Sequence, residues 1–275
     1  MRGPRDPRRV IIAGCLLVAL ATSALIAKRL WVHDTIRVVD ASAALDAYRH
    51  SSTSAATTAT ADTTAKAVTR LQFTPEVGVY RYATSGSEHI DVLGGATHRY
   101  PKITTLTVTA AGCGARLRWD ILKERREEWQ LCPSRSGIEY GANGVQLHTF
   151  FGHGDLESFV CDRAVVIAPS DLAPAASVPQ TCSLMGAAWQ PSWELVGPER
   201  MLVGTTEVAV MHVRVTVANN SAYFEHTVID WWVDDHGLPL RMSCTKSSKS
   251  NSGLVGDVLY TEQYTATLQS LKPLR

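Results

Sequence analysis

From Phe73 to the C-terminus, apolar and polar residues alternate with a period of two. The stretch "ARLRWDIL", Ala115–Leu122, puts Leu117, Trp119 and Ile121 on one side of an extended chain and Arg116, Arg118 and Asp120 on the other. Successive strand side chains point to opposite faces, so this reads as a half-buried strand. The same period recurs at Val77–Thr84, Ile103–Thr109, Glu127–Leu131, Val145–Phe151, Glu207–Val217, Ala222–Asp234, Leu240–Thr245 and Val258–Leu271. Gly-containing turns such as "AAGCG" and "DDHGLP" fall between the runs, and no sustained helical period appears. Strands this numerous and this close predict a mainly β domain over 73–275, a curved antiparallel sheet of half-barrel or barrel-like form with few helices. Ala164–Gln180, with Pro169, Pro174 and Pro179, interrupts the pattern and predicts a surface loop or a boundary between sheet halves.

The N-terminal part follows another pattern. Residues 1–9 form a basic tail, and Val10–Ala27 is an eighteen-residue run without a charge, followed by Lys28 and Arg29. As a helix it would be about 27 Å long, enough to cross a hydrocarbon core of roughly 30 Å. Ile12, Ala13, Gly14 and Cys15 match the pattern around an acylated lipoprotein cysteine, but only five residues separate Cys15 from Arg9. A signal peptide needs an apolar stretch of about 7–15 residues before its cleavage site, so an uncleaved transmembrane helix over 10–27 is preferred to a cleaved signal or a lipidated Cys15. Four arginines in the first nine residues place the N-terminus in the cytoplasm and the main domain outside, a single-pass protein of the cell membrane. Residues 28–72 predict a short helix at Asp40–His50. A flexible tether follows over Ser51–Lys66, where fourteen of sixteen residues are Ser, Thr or Ala.

Charge refines this division. Residues 1–72 hold ten Lys/Arg against five acids, and residues 73–275 hold seventeen against twenty-one. A mildly acidic main domain argues against a nucleic-acid partner. An outward-facing domain meets oxidising conditions, so its cysteines read as disulfides. Cys113 precedes one strand of a hairpin and Cys132 ends the next, which predicts Cys113–Cys132. Cys161 and Cys182 flank the proline-rich segment and form the second expected pair, leaving Cys244 as a buried thiol or an intermolecular partner, the buried thiol being the commoner case. Zinc is disfavoured, because no C-x-x-C or H-x-x-x-H spacing occurs.

No nucleophile, metal or nucleotide motif appears, so the chain is read as a protein without catalytic residues or cofactor. His148, His153 and Asp155, around "FFGHGD", would need to converge with another polar group to make an acid–base site. Asp230, Asp234, Asp235 and His236 read as solvated turn residues. "LGGATHRYP", Leu93–Pro101, reads as a double-glycine turn entering a strand, and "KERREE", Lys123–Glu128, as a solvated hairpin tip. Tryptophan offers more: adjacent Trp231 and Trp232 must point to opposite faces of their strand. Together with Trp119 they are the candidate ligand-binding residues, lining an apolar pocket.

The run "VIDWWVDDHGLPLRMSC" followed by "VGDVLYTEQYTATLQSL" resembles the late hairpin of the LolA-like half-barrel carriers, including the mycobacterial LppX and LprG lipoproteins. There, too, a W-V-D strand turns through G-L-P into a strand bearing Arg, as Trp232, Val233, Asp234, Gly237, Leu238, Pro239 and Arg241 do here. Gly78–Cys132 is similar to uncharacterised envelope proteins of actinobacteria. The resemblance implies a curved antiparallel sheet whose concave side holds an acyl-bearing ligand, and it implies no catalytic residues. The resulting expectation is a membrane-anchored extracytoplasmic binding protein holding a lipid or other apolar ligand. The alternative is a structural or protein-interaction module with a partner in a cell-envelope complex.

Overall fold

The computed structural model describes residues 34–58, 74–169, 177–184, 187–220, 224–252 and 256–275. One α-helix, α1 (Ala41–Thr58), precedes a run of strands: β1 (Gly78–Ile90), β2 (Ala96–Arg99), β3 (Ile103–Ala111), β4 (Gly114–Asp120), β5 (Arg125–Ser134), β6 (Gly137–Phe150), β7 (His153–Cys161) and β8 (Val165–Pro169). They continue as β9 (Val178–Pro179), β10 (Cys182–Leu184), β11 (Ala187–Trp189), β12 (Pro191–Val203), β13 (Thr206–Asn220), β14 (Phe224–Val233), β15 (Pro239–Ser252) and β16 (Gly256–Leu268). All belong to one sheet in the order β11-β10-β7-β6-β5-β4-β3-β1-β16-β15-β14-β13-β12-β9, with β2 added to β1 and β8 to β6. Two antiparallel meanders, β3–β7 and β12–β16, are therefore joined where the first strand pairs with the last.

The sheet curls into a half-barrel. Aromatic rings from strands far apart in the sheet order meet inside it: Trp129 of β5 stacks on Trp231 of β14 at 5.5 Å, and Tyr140 of β6 lies 4.9 Å from Trp193 of β12. Trp119 of β4 meets Tyr264 of β16 edge to face at 4.8 Å. These rings carry the largest apolar areas in the chain, so burying them against one another is a main driving force for the curl. Gly86 makes room for it in β1. It has a φ of +142°, and a Cβ there would lie 2.2 Å from the carbonyl oxygen of Gln263 on β16. Only glycine allows that approach.

Helix α1 begins where Asp40 caps it: Oδ1 accepts from the Ser42 amide at 2.6 Å and from the Ser42 hydroxyl at 2.8 Å. It runs through Thr58, into the segment expected to be a tether, while residues 59–73 lie outside the described residues. The expected transmembrane helix needs correction. Among the described residues no helix is long and apolar enough to cross a membrane, and residues 10–27 lie outside them. Helix α1, built from Ala, Ser and Thr with Asp46, Arg49 and His50, is too polar for that role. The fold class becomes a mainly β half-barrel with one α-helix among the described residues. The single-pass localisation, which rested on the span, goes with it.

Three other expectations change. The proline-rich segment carries β8, paired with β6, and β9, paired with β12. Strand β12 escaped notice because Gly197 and Pro198 break its alternation; the register slips between Leu195 and Gly197, and past Ser192 and Trp193 the strand has, among the described residues, β13 on one side only. "KERREE" is no solvated tip. Glu124 and Arg125 are buried, Glu124 under the Arg37 guanidinium at 2.7 Å and Arg125 inside the half-barrel.

Candidate functional site

The inner face is apolar in the middle and ionic towards one end. Strand β16 shows why: Leu268, Ala266, Tyr264, Glu262 and Tyr260 share one parity, so the parity that buries the first three carries the last two inward. Glu88 of β1, His98 of β2, Arg125 of β5 and His148 of β6 come in beside them. Glu88 Oε1 accepts from His98 Nδ1 at 2.8 Å, while Oε2 meets His148 Nδ1 at 3.2 Å and the Tyr260 hydroxyl at 2.8 Å. Tyr100 donates to Glu262 Oε1 at 2.5 Å, and Arg125 reaches both Glu262 oxygens at 3.2 and 3.3 Å and also pairs with Glu127.

The charges settle accordingly. Burial pushes the Glu88 carboxyl up, but hydrogen bonds from His148 and His98 and the Arg125 charge hold it well below the usual range. Burial also opposes the charge on Glu262, and Arg125 overcomes it. His98 is held above the ordinary imidazole value: desolvation works against its proton, but the carboxylates of Glu88 and Asp34 outweigh it. Burial raises the Tyr100 and Tyr260 hydroxyls well above normal, keeping them neutral donors. Every carboxylate oxygen of Glu88 and Glu262 is thus used inside the network. Such a network rigidifies a fold.

A strap from the N-terminal side closes this end. Asp34 Oδ2 lies 2.6 Å from His98 Nε2, and Asp34 Oδ1 accepts from the Phe151 amide at 3.0 Å. Of the histidines around "FFGHGD", only His148 joins the network; His153 is exposed at the start of β7, and Asp155 is the cross-strand partner of His148 in register. Sequence reading missed Glu88, His98, Tyr100, Arg125, Tyr260 and Glu262. Parity offered a signal for Tyr260 and Glu262, which stand in line with Tyr264, Ala266 and Leu268 on β16.

The tryptophans occupy different surroundings. Trp119 and Trp231 are buried in the packed interior, Trp119 donating to the Thr104 hydroxyl at 2.9 Å. Trp232 faces outward between His212, stacked at 4.4 Å, and the Arg241 guanidinium 4.8 Å from its ring centroid, and its indole donates to Glu199 Oε2 at 2.9 Å. Trp231 and Trp232 do take opposite faces. None of the three borders the cleft described next. Cys113 is bonded to Cys132 and Cys161 to Cys182, and Cys244 is a buried free thiol.

A cleft of about 620 Å³ opens at the seam where the arms of the half-barrel approach, the β5–β6 turn and β8 on one side, β12, β13 and the β14–β15 turn on the other. Ile138, Ala168, Val210, Met211 and Val233 make its walls, and Asp234 and His236 stand at its rim. Asp234 is buried instead of solvated. Its Oδ1 accepts from the His236 and Leu238 amides at 3.0 and 2.8 Å, shaping the turn, and burial pushes its carboxyl up to about 6. Gly237, with a φ of +81°, completes that turn, and a Cβ there would lie 2.8 Å from Ile138 Cγ2. Among the described residues no cluster of His, Cys, Asp or Glu is arranged to hold a metal ion. No protein-family model matches the chain, and no match is found among curated proteins or solved structures.

Proposed function

We propose that this half-barrel is a binding protein whose seam cleft holds a small apolar or lipid-like molecule. The observation that carries the reading is the cleft itself: its volume of about 620 Å³ falls within the roughly 300–1,000 Å³ typical of small-molecule sites. Apolar walls with few polar groups at the rim suit a ligand that enters with its hydrocarbon part first. Trp119, Trp231 and Trp232 move from ligand contacts to framework in this reading. A catalytic role is the weaker alternative, because the inner acid–base groups already satisfy one another.

The test uses the neutral dye 1-N-phenylnaphthylamine with the full chain. Its emission should rise and shift to the blue on binding. Ala209→Trp, at an exposed β13 position on the cleft wall, should suppress that rise. No enhancement with the unaltered chain, or an enhancement indifferent to Ala209→Trp, would overturn the reading.

A further inference from the structure

A second cleft of about 620 Å³ lies outside the half-barrel, between α1 and the outer face of β3–β5. Its two walls differ in chemistry. On the helix side Val39, Ala43, Ala44 and Ala47 present small apolar groups. On the sheet side Arg116, Arg118 and Arg126 project from β4 and β5, with Lys123 in the turn between them.

Only two acids share that wall. Asp120 is held by Arg118 at 2.8 Å and Glu128 by Arg126 at 3.1 Å. Arg116 and Lys123 keep their charges without an ion-pair partner among the described residues. Arg126 lines the same wall but is already engaged by Glu128. One wall is thus short of anions and the other is apolar.

We infer that the cleft beneath α1 binds an anionic amphiphile, its hydrocarbon chain against the alanines of α1 and its carboxylate or phosphate head against Arg116 and Lys123. Charge complementarity selects the anion: a cationic head would be repelled by Arg116 and Lys123, and a neutral one would leave them unused. The site is separate from the seam cleft, and the two proposals can fail independently.

Titration calorimetry of the full chain with decanoate, decyl phosphate and decyltrimethylammonium tests it. Both anions should bind, the tighter of them identifying the preferred head group, and the cation should bind at least about ten-fold more weakly. Arg116→Gln combined with Lys123→Gln, at exposed positions, should weaken anion binding by about ten-fold or more. Ala47→Trp, which fills the cleft from the exposed helix surface, should abolish it, whereas Ala209→Trp in the seam cleft should leave it unchanged. The proposal falls if neither anion binds, if the cation binds equally well, or if binding survives Ala47→Trp but is lost in Ala209→Trp.

Discussion

Arg125 Nε on β5 lies 3.2 Å from Glu262 Oε1 on β16, although β4, β3 and β1 separate the two strands in the sheet. The pair spans the interior of the curl. Removing the cation alone would leave Glu262, Glu127 and Glu88 with too little compensation, and breaking a buried pair costs about 3–5 kcal/mol. Arg125→Met should therefore lower stability by about that much in urea unfolding, and adding Glu262→Gln should restore part of the loss. A loss below about 1 kcal/mol would mean that the pair does not hold the curl together.

Adjacent tryptophans should respond very differently to truncation. Trp231 is packed against Trp129, Tyr140 and Trp193, so Trp231→Ala should cost about 3–5 kcal/mol, the range for large core deletions. Trp232 loses a stacked imidazole, a guanidinium contact and one hydrogen bond on the outer face, and packs only in part against the core. Trp232→Ala should cost about 1–2 kcal/mol. Equal losses for the two in parallel chemical denaturation would contradict their placement.

Asp234 should make the half-barrel less stable as pH rises. Its folded carboxyl is pushed up to about 6 by burial, above the ordinary 3.8, so the folded chain holds this proton more tightly than the unfolded chain. That contribution is fully present below about pH 4 and is lost as pH rises through about 6, by roughly 2–3 kcal/mol. Asp234→Asn keeps the oxygen that accepts from His236 and Leu238 and removes the charge. It should flatten the pH 4–7 part of the stability profile, and an unchanged slope would show that Asp234 is not its source.

The strap at residue 34 can be followed through one amide. Phe151 N–H donates to Asp34 Oδ1, so Asp34→Ala should speed exchange of the Phe151 amide while the β5 and β6 amides that pair around Trp129 keep their protection. His98, whose proton is favoured by the carboxylates of Glu88 and Asp34, adds a pH signature of the same sign. Its folded pKa is raised, so its contribution is present below the unfolded value near 6.5 and is lost as pH rises through the folded one. His98→Gln should remove that alkaline loss, as read from the Phe151 amide.

Much of this architecture could be read before any coordinates. Alternation at Leu117, Trp119 and Ile121 marked β4, and the same period required Trp231 and Trp232 to part. Cys113 and Cys132 sit at one end of a hairpin, so their bond followed from local geometry. Strand β12 was lost because a bulge at Gly197 breaks the period on which recognition depends. Arg125 was misplaced because a run of charges next to a turn normally faces water, and its buried partner Glu262 lies 137 positions away.

The chain by itself determined most of the long strands, their two faces and the Cys113–Cys132 bond at one end of a hairpin, because these follow from alternation along the chain and from adjacent strands. Which polar residues face inward, where the arms meet and what the clefts offer were decided only by tertiary structure. Glu88 meets Tyr260 across 172 positions and Arg125 meets Glu262 across 137. Contacts that distant leave no period in the sequence, since they arise only when β1 pairs with β16 and the sheet curls around its aromatic interior.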